Sequence, residues 1–252
     1  MSNPSGAATQ VPSPTRHRWA LALIAAAQFM VIMDTSIIGV ALPRMQSDLG
    51  FSQQSLSWVF NAYVIAFGGL LLLGGRLSDL LGARRVFTAG WAILAVASLV
   101  AGLAGQVWVE LLGRAAQGVG AALIAPSALT LLMMLFGQSP RELTRALALY
   151  GAAAPAGGTA GVFLGGVITE YVSWPWVFYV NIPIALVALA VIPTLMPAAA
   201  PRRGSLDLAG ALTVTSGLAA TVYAIVRAPD VGWDPPRHCS SSPVPARCSR
   251  CS

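Results

Sequence analysis

The feature that most constrains this chain is a series of apolar segments, each long enough to cross a lipid bilayer. A membrane-spanning helix needs about 20 predominantly apolar residues. Six stretches meet that requirement, near residues 18–42, 55–77, 85–105, 107–136, 142–169 and 176–197, and a seventh apolar run lies near 207–227. Only 10% of the residues are charged, whereas a soluble domain has about 25%. The sequence therefore predicts an all-α, multi-pass integral membrane protein.

Most positive charges of the chain lie between the apolar runs. The net charge of +6 includes 15 arginines and no lysine. Basic loops alternate along the chain, at 76–85, 141–145 and 202–203. Because arginine-rich loops stay in the cytoplasm, we expect these loops and the N-terminus to be cytoplasmic in a bacterial cell membrane. A basic chain can indicate nucleic-acid binding, but arginines between membrane spans are topology signals, so no nucleic-acid partner is expected.

Composition divides the chain into four parts. Residues 1–17 are polar and are expected to form a disordered cytoplasmic tail. Residues 18–200 form a six-helix bundle, and 201–233 form a basic loop and a seventh helix. Residues 234–252 are rich in Pro, Ser, Arg and Cys and are expected to be disordered, as a frameshifted or truncated reading frame would produce. The cysteines of this tail lack the apolar pattern of a zinc-binding fold, so no metal site is expected.

One carboxyl group lies inside an apolar run. Asp34 follows the segment Phe29–Met33 in the first span. A charged side chain at mid-bilayer costs about 2.5–3.5 kcal/mol on insertion scales, so it usually faces a polar interior and is functional. Because a buried carboxyl group can exist in neutral or charged form, Asp34 is a candidate proton-coupling residue. The alternative is a structural aspartate, paired near the membrane interface.

The fourth span carries a second charged group. Arg114 and Gln117 are three residues apart, and Glu110 precedes Arg114 by four, so all three share one helix face. A buried arginine needs a partner, and Glu110 or Asp34 is the expected one. The alternative is that Arg114 lies near the outer end of its helix and extends to the membrane interface.

Polar side chains in the spans are also candidates for lining a substrate cavity. Asn61 and Tyr63 lie in the second span, and Gln117 lies in the fourth. Tyr63 could supply an interior hydrogen bond, but aromatic residues in membrane spans also pack in the core or at the interface. Both interpretations stay open for the second-span pair.

The fifth span has small residues at four-residue spacing. Ala153, Gly157, Gly161 and Gly165 form this stripe, and Gly166 follows it. Small residues on one face let two membrane helices approach closely. We therefore expect the four glycines to mediate helix packing.

Four motifs occur in order along the chain. The loop after the second span reads Gly75-Arg76-Leu77-Ser78-Asp79-Leu80-Leu81-Gly82-Ala83-Arg84-Arg85. Set between two membrane spans, it resembles the cytoplasmic loop signature of the major facilitator superfamily. Residues 114–122 resemble that family's fourth-helix motif, Arg-x-x-Gln-Gly-x-Gly-Ala-Ala. The run 33–43 is similar to the first-helix motif of its fourteen-helix drug:proton antiporters, and 206–210 resembles the start of their seventh helix.

The sequence departs from the antiporter pattern at three positions. Gly39 stands where that family often has Asn, Val162 replaces a proline of the fifth-helix motif, and Pro175 replaces an arginine before the sixth helix. The fifth-helix motif is associated with antiport. Because its proline is replaced here, proton-coupled uptake of a nutrient stays open as an alternative to export.

The resemblance implies the N-terminal half of a proton-driven exporter of drugs or small amphiphilic metabolites. The proton gradient would be its energy source, with no cofactor. Asp34 would take up and release protons, and Arg114 would be its electrostatic partner. The cytoplasmic gate latch would consist of Gly75, Asp79, Gly82, Arg84 and Arg85.

The resemblance also implies a second transporter half as a partner. Members of the family rock one six-helix half against the other. Without the missing half, Asp34 and Arg114 would lose part of the protein that shields them, and the chain could be a non-transporting membrane fragment. No nucleophile–base pair or phosphate-binding loop is present in the sequence, so an enzyme is not expected.

Overall fold

The apolar runs of the chain fold into long helices. The computed structural model describes residues 14–198 and ten separate residues between 209 and 224. Its regular elements are all helical, with no strand among these residues. The helices are α1 (Pro14–Leu49), α2 (Gln53–Leu77), α3 (Ala83–Gly102), α4 (Val107–Phe136), α5 (Pro140–Tyr171), α6 (Trp176–Tyr179) and α7 (Asn181–Leu195), with a π-helical turn at Ser78–Gly82 between α2 and α3.

Five helical stretches are long and apolar enough to cross a membrane, and one of them crosses twice. The stretch Ser55–Gly102 has 48 residues, which would measure about 72 Å as a straight helix, more than twice the thickness of a bilayer core. It reverses direction at Gly82, whose φ of +92° is open mainly to glycine. The six predicted spans are therefore present, and the prediction of an all-α, multi-pass membrane protein is confirmed.

Helix α1 is longer than the sequence suggested. It begins at Pro14, so residues 14–17, which were assigned to the disordered tail, are helical. Proline suits a first helical position because it needs no hydrogen-bond acceptor there. At its other end, α1 continues to Leu49 instead of stopping near residue 42. An ion pair of 3.1 Å between Arg44 and Glu170 ties this extension to α5.

The sixth span is divided into two helices at Val180. The sequence predicted one continuous run over 176–197. Pro183 explains the break, because it has no N–H to donate to the carbonyl of Tyr179. The break places Asn181 at the first position of α7, where its side chain enters the interior of the bundle.

Several predictions concern parts of the chain outside the described residues. They are most of the N-terminal tail, the basic loop at 202–203 and the C-terminal part from 234 to 252. The predicted seventh helix, 207–227, is described only at ten positions, and all ten are helical.

Glycines set the distances between the helices that carry the polar residues. A Cβ at Gly157 would lie within 2.4 Å of the backbone oxygen of Phe29, and one at Gly161 within 2.8 Å of the backbone oxygen of Met33. Gly165 is similarly close to Ile37. These contacts hold α5 against the segment of α1 that carries Asp34. Gly166, which was also predicted to mediate helix packing, has nothing within 4 Å of its Cβ position, because the next residue along a helix points about 100° away.

Helix α4 lies between α2 and α3. A Cβ at Gly118 would lie within 2.5 Å of the backbone oxygen of Tyr63 in α2. Two residues further along α4, a Cβ at Gly120 would lie within 2.9 Å of the backbone nitrogen of Leu94 in α3. Backbone contacts this close pack the three helices tightly around the polar side chains of α4.

Candidate functional site

Asp34 lies at the centre of a buried hydrogen-bond network. Its side chain is 1% exposed. Oδ2 accepts from Nη1 of Arg114 at 2.7 Å. Oδ1 accepts from Nε2 of Gln117 at 3.0 Å and from Nδ2 of Asn181 at 2.7 Å. Three donors, one of them a cation, compensate the carboxylate for its loss of hydration, so the structure presents Asp34 as an ion-paired group.

Arg114 is held on every side by protein groups. It is fully buried, which excludes the alternative that it extends to the membrane interface. Besides Asp34, its Nη1 donates to Oε1 of Gln117 at 2.8 Å, and its Nε donates to the carbonyl of Val59 at 3.2 Å. The guanidinium carbon lies 4.6 Å from the centre of the Tyr63 ring, a cation–π contact. Of the two predicted partners, the structure pairs Arg114 with Asp34.

Two further residues complete the network, and sequence analysis did not single them out. Ser98 of α3 accepts through its hydroxyl oxygen from Gln117 at 2.8 Å and from Asn181 at 3.3 Å. Both Ser98 and Asn181 are fully buried. Their sequence signal is weak but present, because each is a polar residue within or beside an apolar run. The network therefore joins five helices, α1, α2, α3, α4 and α7.

Residues of this one chain bury both Asp34 and Arg114. The expectation that Asp34 and Arg114 lose shielding without a second transporter half is wrong, because both side chains are at most 1% exposed in the isolated bundle. The physical reason is that the partners of Asp34 come from neighbouring helices of the same half, α4 and α7.

The three candidates for lining a substrate cavity do not share one surface. Tyr63 and Gln117 are 1% and 0% exposed and belong to the buried network. They are therefore interior residues and not parts of an open cavity wall. Asn61 is partly exposed on the same helix as Tyr63 and makes no contact with the network. Two residues along a helix point to different faces, which separates Asn61 from Tyr63.

The residues predicted to form the gate latch lie at the turn between α2 and α3. Gly75 approaches Pro126 of α4, with 3.7 Å between its Cβ position and the proline ring. Gly82 is buried and makes the reversal, whereas Asp79 and Arg85 are exposed and Arg84 is partly exposed. Asp79 forms no hydrogen bond or ion pair with any residue that the structure describes. The turn therefore presents an unpaired acidic side chain beside two arginines.

Metal-ligating side chains are not grouped in the described part of the chain. No cluster of three or more His, Cys, Asp or Glu residues occurs there. The cysteines and His238 of the C-terminal tail lie outside the described residues.

Known proteins resemble this chain over most of its length. A sequence profile of the Major Facilitator Superfamily matches residues 24–238. The puromycin resistance protein pur8 of Streptomyces alboniger is 45% identical over 232 residues, which cover 91% of this chain and 45% of that protein. The cephamycin export protein CmcT of Amycolatopsis lactamdurans is 45% identical over 219 residues, covering 85% and 44%. The chain spans about half the length of the curated relatives that it matches.

Solved structures of transporters share the arrangement of helices. The TM-score is 0.65 against a crystal structure of the peptide transporter POT in complex with sulfate, at 14% identity and with 85% of this chain and 47% of that chain covered. It is 0.60 against a bacterial homologue of the human lysosomal transporter Spinster, at 16% identity and with 78% and 47% covered. These likenesses show the fold. Together with a profile match that includes all six spans, they establish that this chain belongs to the major facilitator superfamily.

Proposed function

We propose that this chain forms the N-terminal half of a proton-coupled exporter of drugs or small amphiphilic metabolites in a bacterial cell membrane. The observation that carries the proposal is the buried Asp34 carboxylate in the first span, paired with Arg114 and reachable by a proton only through the protein. Relatives named for antibiotic resistance and export support the class of substrate. In this proposal the proton gradient is the energy source.

Protonation of Asp34 would act on the packing of the helices. The carboxylate is the common acceptor for donors on α4 and α7. A proton on Oδ2 removes the charge that holds Arg114, and breaking a buried ion pair is worth about 3–5 kcal/mol. That is enough to shift an equilibrium between two conformations by more than a hundredfold. Proton binding in the half-bundle would therefore change how α1, α4 and α7 are tied together.

The substrate pathway in this proposal lies between this bundle and a second one. Transporters of this architecture alternate access by rocking two halves around a central site. The exposed and unpaired Asp79 supports a contact with the second half at the cytoplasmic end. Asn61, partly exposed on α2, is a candidate for the substrate-facing wall.

The proposal is tested by supplying a second half. Residues 1–233 are fused to the part of the S. alboniger relative that this chain does not cover, and drug-dependent proton release is measured in inverted membrane vesicles. We expect saturable exchange of drug for protons, and its loss in the Asp34→Asn variant, which keeps the shape of the side chain but cannot carry a proton. The S. alboniger protein itself is the positive control.

The outcomes separate the alternatives. Proton-coupled movement in the opposite direction would favour an uptake carrier. A fusion that inserts and folds but exchanges nothing would favour a non-transporting membrane fragment. Residues 1–252 alone are expected to show no exchange in reconstituted vesicles, and robust exchange by that chain would contradict the need for a second half.

Membrane orientation is tested separately, in a background with the three native cysteines replaced by serine. Single cysteines at Leu81 and at Ser173 are accessible positions on opposite ends of the bundle. We expect impermeant reagents to label Leu81→Cys only from the cytoplasm and Ser173→Cys only from outside. Labelling of both from one side would refute the proposed orientation.

A further inference from the structure

Glu110 is a buried acidic residue that the proposed mechanism does not use. It is 0% exposed, at the start of α4 and one turn before Arg114. Both oxygens of its carboxyl group are buried and have no hydrogen-bond partner among the described residues. In such a site an unpaired carboxylate costs far more free energy than a neutral carboxylic acid does. In the state that the structure shows, the environment of Glu110 suits the protonated form.

Arg114 has a donor that is not used in this state. Its Nε and Nη1 are engaged, but Nη2 is buried and has no hydrogen-bond partner in the described part of the chain. Residues four apart on a helix lie on one face, so Glu110 and Arg114 are neighbours. They are nevertheless not within ion-pair distance, since the guanidinium is turned toward Asp34.

Few charged groups act on Glu110. Arg114 on the same helix and Asp34 on α1 are the groups that act on it electrostatically. From α2, Tyr63 stacks on Arg114. The neighbouring α3 and α7 contribute the uncharged Ser98 and Asn181 to the same network. Two carboxyl groups therefore act on one arginine, and only Asp34 is paired with it.

We infer that Glu110 is a second proton-carrying carboxyl group, and that Arg114 exchanges between Asp34 and Glu110 as its ion-pair partner. In the observed state, Asp34 is ionised and paired, and Glu110 carries the proton. In the alternative state, Glu110 has given up its proton and pairs with Arg114, while Oδ2 of Asp34, vacated by the guanidinium, has bound a proton. The three side chains sum to zero charge in both states, so the exchange places no uncompensated charge inside the membrane.

This inference deepens the proposed proton-coupled function, but its test does not depend on transport. The purified chain is placed in lipid nanodiscs at neutral pH, and the infrared carbonyl stretch of protonated carboxyl groups is recorded. The chain has three glutamates, and Glu142 and Glu170 are exposed, so only Glu110 is expected to be protonated. We expect one such band, and we expect it to shift when glutamate is labelled with ¹³C at its carboxyl carbon.

Variants extend the test to the exchange itself. The band should disappear in Glu110→Gln and persist in the control Glu170→Gln. It should also disappear in Asp34→Asn, because Arg114 then has only Glu110 as an anionic partner. The Asp34→Asn result distinguishes proton exchange from a merely structural role of Glu110, since packing alone would leave the band unchanged.

The inference is overturned if the unmodified chain shows no protonated-carboxyl band, or if the band does not shift when glutamate is labelled with ¹³C. It is also overturned if the band persists in Glu110→Gln or in Asp34→Asn. The labelling arm needs no variant, so it tests the protonation of Glu110 even if Glu110→Gln does not fold, and Asp34→Asn tests the exchange. A chain with the expected spectra but no transport in the fusion would refute the proposed function and leave this inference intact. Transport by the fusion without the expected spectra would refute this inference and leave the proposed function intact.

Discussion

The network around Asp34 and the turn between α2 and α3 both contain acidic and basic residues, but an aspartate forms an ion pair within the described residues in only one of the two regions. Asp34 and Arg114 are buried and form an ion pair within one bundle. Asp79 is exposed and has no partner in the described chain, although two arginines follow it within six residues. The difference indicates that the buried ion pair is completed inside the half-bundle, whereas the turn is available for contact with another surface.

The strongest test of this comparison is to break the buried pair. In Arg114→Met, the Asp34 carboxylate keeps Gln117 and Asn181 but loses its cation. We expect the free energy of unfolding to fall by about 3–5 kcal/mol, because an unpaired charge is left in the interior. The measurement is equilibrium unfolding of the chain in mixed micelles.

A double variant serves as the control for that loss. Asp34→Asn together with Arg114→Met removes both charges and retains an acceptor for the neighbouring amides. We expect it to recover much of the lost stability. A double variant as unstable as Arg114→Met alone would show that packing of the guanidinium, and not its charge, is what matters.

A smaller effect is expected from the scaffold that holds Asp34 in place. Gly157→Ala puts a Cβ within 2.4 Å of the backbone oxygen of Phe29 and forces α1 and α5 apart. Overpacking of this kind costs about 1–3 kcal/mol. Gly166→Ala, at an open position of the same helix, is the matched control and should leave the unfolding midpoint unchanged. Equal effects of the two changes would contradict a specific α1–α5 interface.

The backbone of the turn is expected to be similarly sensitive. Gly82→Ala forces a Cβ into a conformation with φ of 92° and ψ of 129°, which residues other than glycine rarely adopt, at a cost of about 1–3 kcal/mol. Thermal unfolding should report the loss, with Gly105→Ala as a control in open space. If Gly82→Ala were neutral, the reversal between α2 and α3 would not depend on this glycine.

The smallest effect on this chain is expected at Asp79. Because Asp79 has no partner in the described chain, Asp79→Asn should leave unfolding of residues 1–252 unchanged. The same change should reduce exchange by the fusion protein, where a second bundle is present. A clear loss of stability in the chain alone would mean that Asp79 is paired within its own half, and the contrast between the two regions would then disappear.

Sequence patterns predicted much of the fold and part of the site. The six spans follow from apolar length alone, and the candidates Asp34, Arg114 and Gln117 follow from the cost of placing polar groups in a membrane. The same reasoning did not identify Ser98 or Asn181 as members of the network, because one hydroxyl or amide in an apolar run is common and carries no cost that demands a specific partner. Gly166 was predicted to mediate helix packing together with the stripe, but its direction on the helix leaves it outside the α1–α5 contacts that Gly157, Gly161 and Gly165 make.

By itself, the sequence determined that this protein spans a membrane with helices and that its few interior charges need compensation, because both follow from the free energy of transferring residues into lipid. Only the tertiary structure decided which charges meet. Arg114 could have paired with Glu110 on its own helix, but the packing of α1 against α4 and α7 places Asp34, Gln117 and Asn181 in one network. That choice depends on distances between helices of a few ångströms, which apolar periodicity does not encode.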